Sequence, residues 1–238
     1  MDTIAAISTA AGAAAIGVIR ISGDDAFSVL DRVFFPAGKP MEQQENRTMV
    51  YGEMRDSRGD VIDRGLAVRF AAPNCYTGEN SAELYCHGAP LVLRLVLEAL
   101  FAAGARQAEA GEFTRRAFLN GRMDLTEAEA VADLLTAEST AAAKNAAAQL
   151  GGALRRRIEA VYERLMDISA RFYAVVDYPD EDIEDLGREE IESALKFAEL
   201  ELTELLGSFQ RGRVLKQGVA TVLLGRPNAG KSSLLNAL

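Results

Sequence analysis

The chain has 238 residues, of which 49% are apolar and 26% charged, and a formal charge of −9 at neutral pH. It is long enough for two domains and part of a third, and its acidic balance excludes a general nucleic-acid coat. Two cysteines, Cys75 and Cys86, and one histidine, His87, are too few for a disulfide framework or a zinc ribbon, so the thiols read as reduced.

Residues 4–19 are apolar and small enough to imitate a signal peptide. No Lys or Arg precedes them, however, and Ser8, Thr9, Gly12 and Gly17 interrupt the run. The segment instead reads as a strand over residues 3–8, a small-residue loop over 9–15 and a second strand from Ile16 to Gly23. Alternation puts Arg20 on the face of Ile16 and Val18, where a guanidinium must reach an edge or find an anion. Phe27, Leu30, Val33 and Phe34 predict an amphipathic helix from Asp24 to Phe34, ended by Pro36 to Pro40.

Arg47 to Arg55 and Val61 to Phe70 flank the turn Asp56 to Asp60 and predict a hairpin. A polar loop from Pro73 to Asn80 leads into a strand, Ser81 to Cys86, on which Glu83 sits between Ala82 and Leu84. A helix from Pro90 to Gly104, a short strand from Ala105 to Glu109 and a helix from Glu112 to Leu119 follow. Residues 1–120 are thus expected to form an α+β domain, a mixed sheet with helices. No stretch is long enough to span a membrane.

Residues 121–213 read as the N-terminal part of an all-α domain. Thr126 and Glu129 have capping-box spacing, and the Ala-rich run to Leu150 favours helix. Beyond Gly151-Gly152, Leu154, Ile158, Val161, Leu165, Ile168, Phe172 and Val175 alternate steps of four and three, predicting a seam for a second helix. Tyr178-Pro-Asp-Glu181-Asp182 ends it, as a solvated acidic turn or a cation site. Ile191, Leu195, Ala198, Leu202 and Leu205 repeat the spacing, so the next helix is expected to return antiparallel. Gly207 to Gln217 reads as a polar linker. Three basic stretches, Arg115-Arg116, Arg155-Arg156-Arg157 and Arg211 to Lys216, could serve as local RNA contacts, and each also reads as a solvated helix face.

Residues 214–238 read as the start of an α/β P-loop domain that moves independently of the rest. The apolar run Val219 to Leu224 predicts a strand, Gly225-x-x-x-x-Gly230-Lys231-Ser232 a phosphate-binding loop, and the residues after it a helix. The two glycines allow backbone N–H groups to close around a polyphosphate. Lys231 supplies a compact positive charge, the Ser232 hydroxyl a ligand for Mg²⁺, and the helix its positive end. Only six residues follow Ser232. The acidic residue and water-positioning group that phosphoryl transfer needs are not among them, so the 238-residue chain is expected not to hydrolyse a nucleotide by itself, and its catalytic residues are not readable.

Several blocks resemble one family: Gly17-Val-Ile-Arg20-Ile-Ser-Gly23, Tyr76-Thr-Gly78-Glu79, Gly111-Glu-Phe-Thr-Arg-Arg-Ala-Phe-Leu-Asn120, Asp124-Leu-Thr-Glu-Ala-Glu-Ala130, Asp177-Tyr-Pro-Asp-Glu181 and Gly225-Arg-Pro-Asn-Ala-Gly-Lys-Ser-Ser233. Together they are similar to the bacterial tRNA-modification GTPases MnmE (TrmE), over essentially the whole chain. The resemblance implies a folate-binding α/β domain that forms a homodimer, a helical domain, and a GTPase domain inserted in the helical one. It also implies a FAD-containing MnmG-type partner in a heterotetramer, tRNA as substrate, and a cytoplasmic location. The implied reaction adds an aminomethyl or carboxymethylaminomethyl group at C5 of the wobble uridine, with 5-formyl- or methylene-tetrahydrofolate as carrier and K⁺-stimulated GTP hydrolysis as drive.

Position by position, the resemblance assigns folate contacts to Arg20, Glu83 and Arg122. It assigns GTP/GDP contacts to Asn228, Ala229, Gly230, Lys231, Ser232 and Ser233, with Mg²⁺ on Ser232 and K⁺ on Asn228. The chain departs from the family's usual pair of glycines after the histidine, having His87-Gly88-Ala89. The alternative function is a non-catalytic folate-binding dimerisation module.

Overall fold

A computed structural model describes residues 2–178, 187–218, 221–226 and 228–237, the side chains of residues 210, 211 and 215–217 excepted. The chain divides into two compact units, Met1–Ala128 and Glu129–Leu238.

The first unit is a seven-stranded sheet in the order β3-β4-β5-β6-β2-β1-β7. In chain order its elements are β1 (Ile4–Ile7), β2 (Ala14–Ser22), α1 (Ala26–Val33), β3 (Phe34–Pro36), β4 (Val50–Arg55), β5 (Val61–Phe70), β6 (Ser81–Gly88), α2 (Pro90–Ala102), β7 (Arg106–Gln107) and α3 (Glu112–Leu119). All pairings are antiparallel except β1 with β7, so the sheet is mixed, as expected.

Period-two alternation decides which residues the sheet buries. Ile19 and Ile21 of β2 and Ala82, Leu84 and Cys86 of β6 turn to one face, where Val29, Leu30 and Val33 of α1 and Leu93, Val96 and Leu100 of α2 close a common core. The residues between them, Val18 and Arg20 on β2 and Glu83 and Tyr85 on β6, take the opposite face. Close strand approach requires glycine at Gly65, where a Cβ would lie 2.0 Å from the Tyr85 carbonyl oxygen.

The predicted α1 stops one residue short, because Phe34 leaves the helix to open the edge strand β3. Phe35 precedes Pro36, and a residue before proline is pushed out of the helical region. Sequence reading missed this strand.

In the second unit the Ala-rich stretch is two helices, α4 (Leu125–Leu135), which begins within the first unit, and α5 (Thr140–Leu150). The α4 cap is formed by Asp124 and Glu127, one pair earlier than Thr126 and Glu129. Glu127 N donates to Asp124 Oδ1 at 2.8 Å, and Asp124 N to Glu127 Oε2 at 2.8 Å. Asp competes well for this position because its carboxylate also meets the helix's positive end. Ser139 caps α5 by accepting from Ala142 N.

The long helices α6 (Ala153–Asp177) and α7 (Arg188–Gln217) form the expected antiparallel hairpin. Arg157 pairs with Glu201 and Glu204 at 2.7 and 2.8 Å, and Arg171 with Glu190 at 2.9 Å, so position numbers rise on one helix as they fall on the other. The inward stripe of α7 follows the predicted one only in part. Ala198 is buried as expected, but its buried neighbour on the stripe is Ala194, while Leu195 and Leu202 are 56% and 45% exposed. Small side chains let the two backbones approach, and the stripe follows them.

The predicted linker from Gly207 to Gln217 is helix, since α7 runs through Gly207 and Gly212 and stops at Gly218, whose φ is +69°. Each interior glycine costs only about 1 kcal/mol against alanine, and the leucines, arginines and glutamines around them favour helix. Residues 221–225 take no strand structure, contrary to the expected strand before the glycine-rich turn. The acidic turn predicted over residues 178–182 lies, from residue 179 on, outside the described residues, as do Val219 and Ala220.

Candidate functional site

Two places collect the residues that sequence reading singled out. The first is the outer face of β2 and β6. These strands are paired so that Arg20 and Glu83, 63 positions apart in the chain, stand directly opposite each other. Arg20 Nε and Nη2 both donate to Glu83 Oε1, at 2.9 and 2.8 Å. Two rings flank the guanidinium: Tyr76, from the loop before β6, with its centroid 5.1 Å from the Arg20 Cζ, and Phe113 of α3 at 5.8 Å. Cation–π attraction at these distances holds the guanidinium in place and shields it from water. Tyr85 donates from its hydroxyl to Glu83 Oε2 at 2.6 Å. That bond, helped by burial and by the carboxylate's charge, pushes the Tyr85 phenol up to about 12.

The loop carrying Tyr76 is tied down on several sides. Tyr76 shares a 2.9 Å hydrogen bond with Thr114 of α3, and Asn120 Nδ2 donates to the Thr77 carbonyl at 2.7 Å. Thr77 and Ser22 share a 2.7 Å hydroxyl pair, and Ser22 donates onward to Glu79 Oε2 at 2.9 Å. Arg116 Nη1 reaches the same oxygen at 3.0 Å.

Beneath the loop lies a buried ionic cluster. Arg116, 5% exposed, also pairs with Glu112 at 3.0 Å and with Asp2 at 2.7 Å, and donates to the Asp2 carbonyl at 2.8 Å. Glu112, 2% exposed, takes Arg106 on both oxygens, at 2.6 and 2.9 Å, and the Glu109 N–H at 2.8 Å. Arg106 above all, with the Glu109 N–H and Arg116 assisting against burial, holds the Glu112 carboxyl down at about 2. Burial opposes the charge on Arg116, yet Glu79, Glu112 and Asp2 together raise its pKa.

Arg116 is therefore no part of a surface patch; only its neighbour Arg115, paired with Glu109 at 3.0 Å, faces water. Arg155 and Arg157 are engaged by Glu159 and by Glu201 and Glu204.

The third residue assigned to folate, Arg122, is exposed beside the same loop. Its Cγ lies 3.1 Å from where a Cβ on Gly78 would be, and Gly78 adopts φ +78°. Among the described residues its guanidinium has no hydrogen-bond or ion-pair partner, which leaves it open to an anionic ligand. His87 is exposed at the far end of β6 and is held by Asp63, through its N–H at 2.8 Å and its ring Nδ1 at 2.8 Å. Cys86 faces the core, and burial pushes its thiol up to about 11, which rules out a thiolate nucleophile there at neutral pH.

Sequence reading thus singled out Arg20 and Glu83, each by itself, but missed their pairing, Tyr85, Tyr76, Phe113 and the cluster around Arg116. Tyr85 was findable, since period two puts it on the face of Glu83. Arg116 and Glu112, four apart on a predicted helix, also carried a signal. Tyr76 and Phe113 meet Arg20 only through loop geometry, which leaves no periodic trace.

The second place is the glycine-rich turn. Asn228 and Gly230 take positive φ values of 59° and 78°, and Gly230 leads into α8 (Lys231–Leu235). The turn curls around Lys231, whose Nζ donates to the carbonyls of Gly225 at 2.9 Å and Arg226 at 2.8 Å. Ser232 and Ser233 lie exposed in the first turn of α8.

A mixed sheet with a paired Arg–Glu under aromatic cover, followed by a helical unit, defines a two-part protein. Its two parts match two family profiles in the same order: residues 3–122 match "GTP-binding protein TrmE N-terminus" and residues 125–232 "MnmE helical domain". The chain belongs to the MnmE/TrmE family of tRNA-modification GTPases. It is 48% identical over 238 residues to the tRNA modification GTPase MnmE of Symbiobacterium thermophilum, covering all of this chain and 52% of that protein. It is 47% identical over 237 residues to the protein of the same name from Roseiflexus sp., covering 50% of it, and 45% identical to that of Geobacter sulfurreducens, covering 52%. The chain thus spans about half the length of the curated relatives it matches. Among the described residues, no helix is long and apolar enough to cross a membrane.

Proposed function

We propose that this chain is the folate-binding and helical portion of a GTP-hydrolysing tRNA-modification protein. With a FAD-containing MnmG-type partner, that protein installs an aminomethyl or carboxymethylaminomethyl group at C5 of the wobble uridine of certain tRNAs, in the cytoplasm. Residues 1–120 bind the tetrahydrofolate carrier and form the homodimer, residues 121–213 belong to the helical domain, and residues 214–238 open the GTPase domain. The observation that carries this reading is the meeting of Arg20 and Glu83 under Tyr76 and Phe113, with the exposed arginine Arg122 by the same loop.

The chemistry of these groups suits a folate. Glu83 accepts from the amino edge of the pterin, and the guanidinium of Arg20 or Arg122 holds a carboxylate of the glutamyl tail. The rings give a bicyclic ligand an apolar, polarisable cover. At the other site the residue types fit GTP with Mg²⁺ and K⁺. Lys231 exchanges its two loop carbonyls for the outer phosphates, Ser232 offers a hydroxyl to Mg²⁺, and Asn228 an amide oxygen to K⁺.

Titration calorimetry on the complete protein tests the reading. Arg20→Ala is expected to weaken 5-formyltetrahydrofolate binding by about 10- to 100-fold, the worth of a charge-assisted contact, with GTP affinity unchanged. Lys231→Ala is expected to do the reverse, abolishing tight GTP binding while the folate isotherm stays as in the wild type. Wild-type folate affinity in Arg20→Ala would reject the site.

A further inference from the structure

Glu83 presents a carboxylate whose acceptor positions are nearly full. Arg20 Nε and Nη2 converge on Oε1, and the Tyr85 hydroxyl sits on Oε2 at 2.6 Å. An ionised carboxylate offers about four acceptor positions, so these three donors leave one, on Oε2. Arg20 alone could not fix the group. Both of its bonds go to a single oxygen, and a carboxylate held at one oxygen can still pivot about it.

Resting on the folate reading above, we propose that Tyr85 is a positioning residue that sets the specificity of the site. Its hydroxyl pins the second carboxylate oxygen, so that Glu83 keeps a single acceptor position for the amino group of the pterin. The strand makes this possible, because residues two apart in β6 stand on one face and the rigid phenol ring spans the distance between them. A tyrosine suits the task as a neutral donor: it orients the carboxylate without cancelling its charge. Its raised pKa, about 12, keeps the proton on the phenol throughout the neutral range.

The test compares two ligands on two proteins, with the complete protein in each case. Wild type and Tyr85→Phe are titrated with 5-formyltetrahydrofolate and with its 2-desamino analogue, which offers Glu83 no amino N–H. The wild type is expected to prefer the amino form, and Tyr85→Phe to lose most of that preference, its affinity for the amino form falling about tenfold and that for the analogue hardly changing. An unaltered preference in Tyr85→Phe would overturn the role given to Tyr85, and so would an equal loss for both ligands, the mark of a merely structural effect. If the wild type binds neither ligand, the folate reading itself fails and takes this inference with it; if it binds both equally, folate still binds but Glu83 does not read the amino group, and this inference alone is overturned. Matching thermal midpoints for the two proteins keep a folding defect apart from these outcomes.

Discussion

Arg116→Ala is expected to lower the stability of the first unit by about 3–5 kcal/mol, the usual cost of removing one partner from a buried ionic cluster. The loss is not that of a favourable pair. Arg116 compensates Glu112 and Glu79, which are 2% and 9% exposed, and its removal leaves carboxylates in a poorly solvated interior with fewer donors. Arg116→Lys is expected to restore only part of the loss, because a compact ammonium cannot reach Asp2, Glu79 and Glu112 at once as the planar guanidinium does. Urea unfolding followed by circular dichroism gives the comparison. Arg58→Ala, which breaks a pair whose arginine is 82% exposed, serves as the reference and should leave the midpoint where it is. A shift for Arg116→Ala no larger than that of Arg58→Ala would show that the cluster is not a structural keystone.

The second large effect is in acid. The Glu112 carboxyl is held at about 2, from an ordinary value of 4.5, first by Arg106 and then by the Glu109 N–H and Arg116, against the opposing effect of burial. Since the folded state is the stronger acid at this group, its contribution is fully present above the unfolded value. It disappears as pH falls from about 5 towards 2, and amounts to something on the order of 3 kcal/mol. Asp2, Glu53, Asp56 and Asp63 are also lowered, so the wild type has an acid slope from several sources. The informative quantity is the difference in unfolding free energy between wild type and Glu112→Gln, measured across that window. It should be largest near neutrality and shrink as pH drops. A difference that is flat from pH 7 to pH 2 would mean that Glu112 is not held ionised by its arginines.

How far the sequence foretold this architecture depends on where the information resides. Strands with strict alternation were legible: β2 and β6 show Ile19, Ile21, Ala82 and Leu84 against Arg20 and Glu83, and that same alternation marked the two charged residues as misplaced for a core strand. It did not reveal that they are each other's partners, because register across 63 residues depends on the whole sheet. The edge strand β3, three residues long, is too short for any periodic signal, while β7 falls within the strand expected over Ala105 to Glu109 but spans only two residues. On α7 the four-three spacing found Ala198 but extended to Leu195 and Leu202, whereas packing chose Ala194 beside Ala198; close helix approach rewards a small residue that a hydrophobic count passes over. The glycines of the supposed linker misled for a related reason, since two interior glycines are outweighed by the helix formers around them.

The salt bridge from Asp2 to Arg116 joins residues 114 positions apart, and β1 lies beside β7 in the finished sheet. A chain synthesised from its N-terminus must therefore carry β1 unpaired on one edge until β7 has cleared the ribosomal exit tunnel, and Asp2 without Arg116 until α3 has followed. The site around Arg20, which takes Phe113 from α3, is consequently assembled late, and a ribosome stalled before Arg116 has emerged would hold a nascent sheet without its closing clasp.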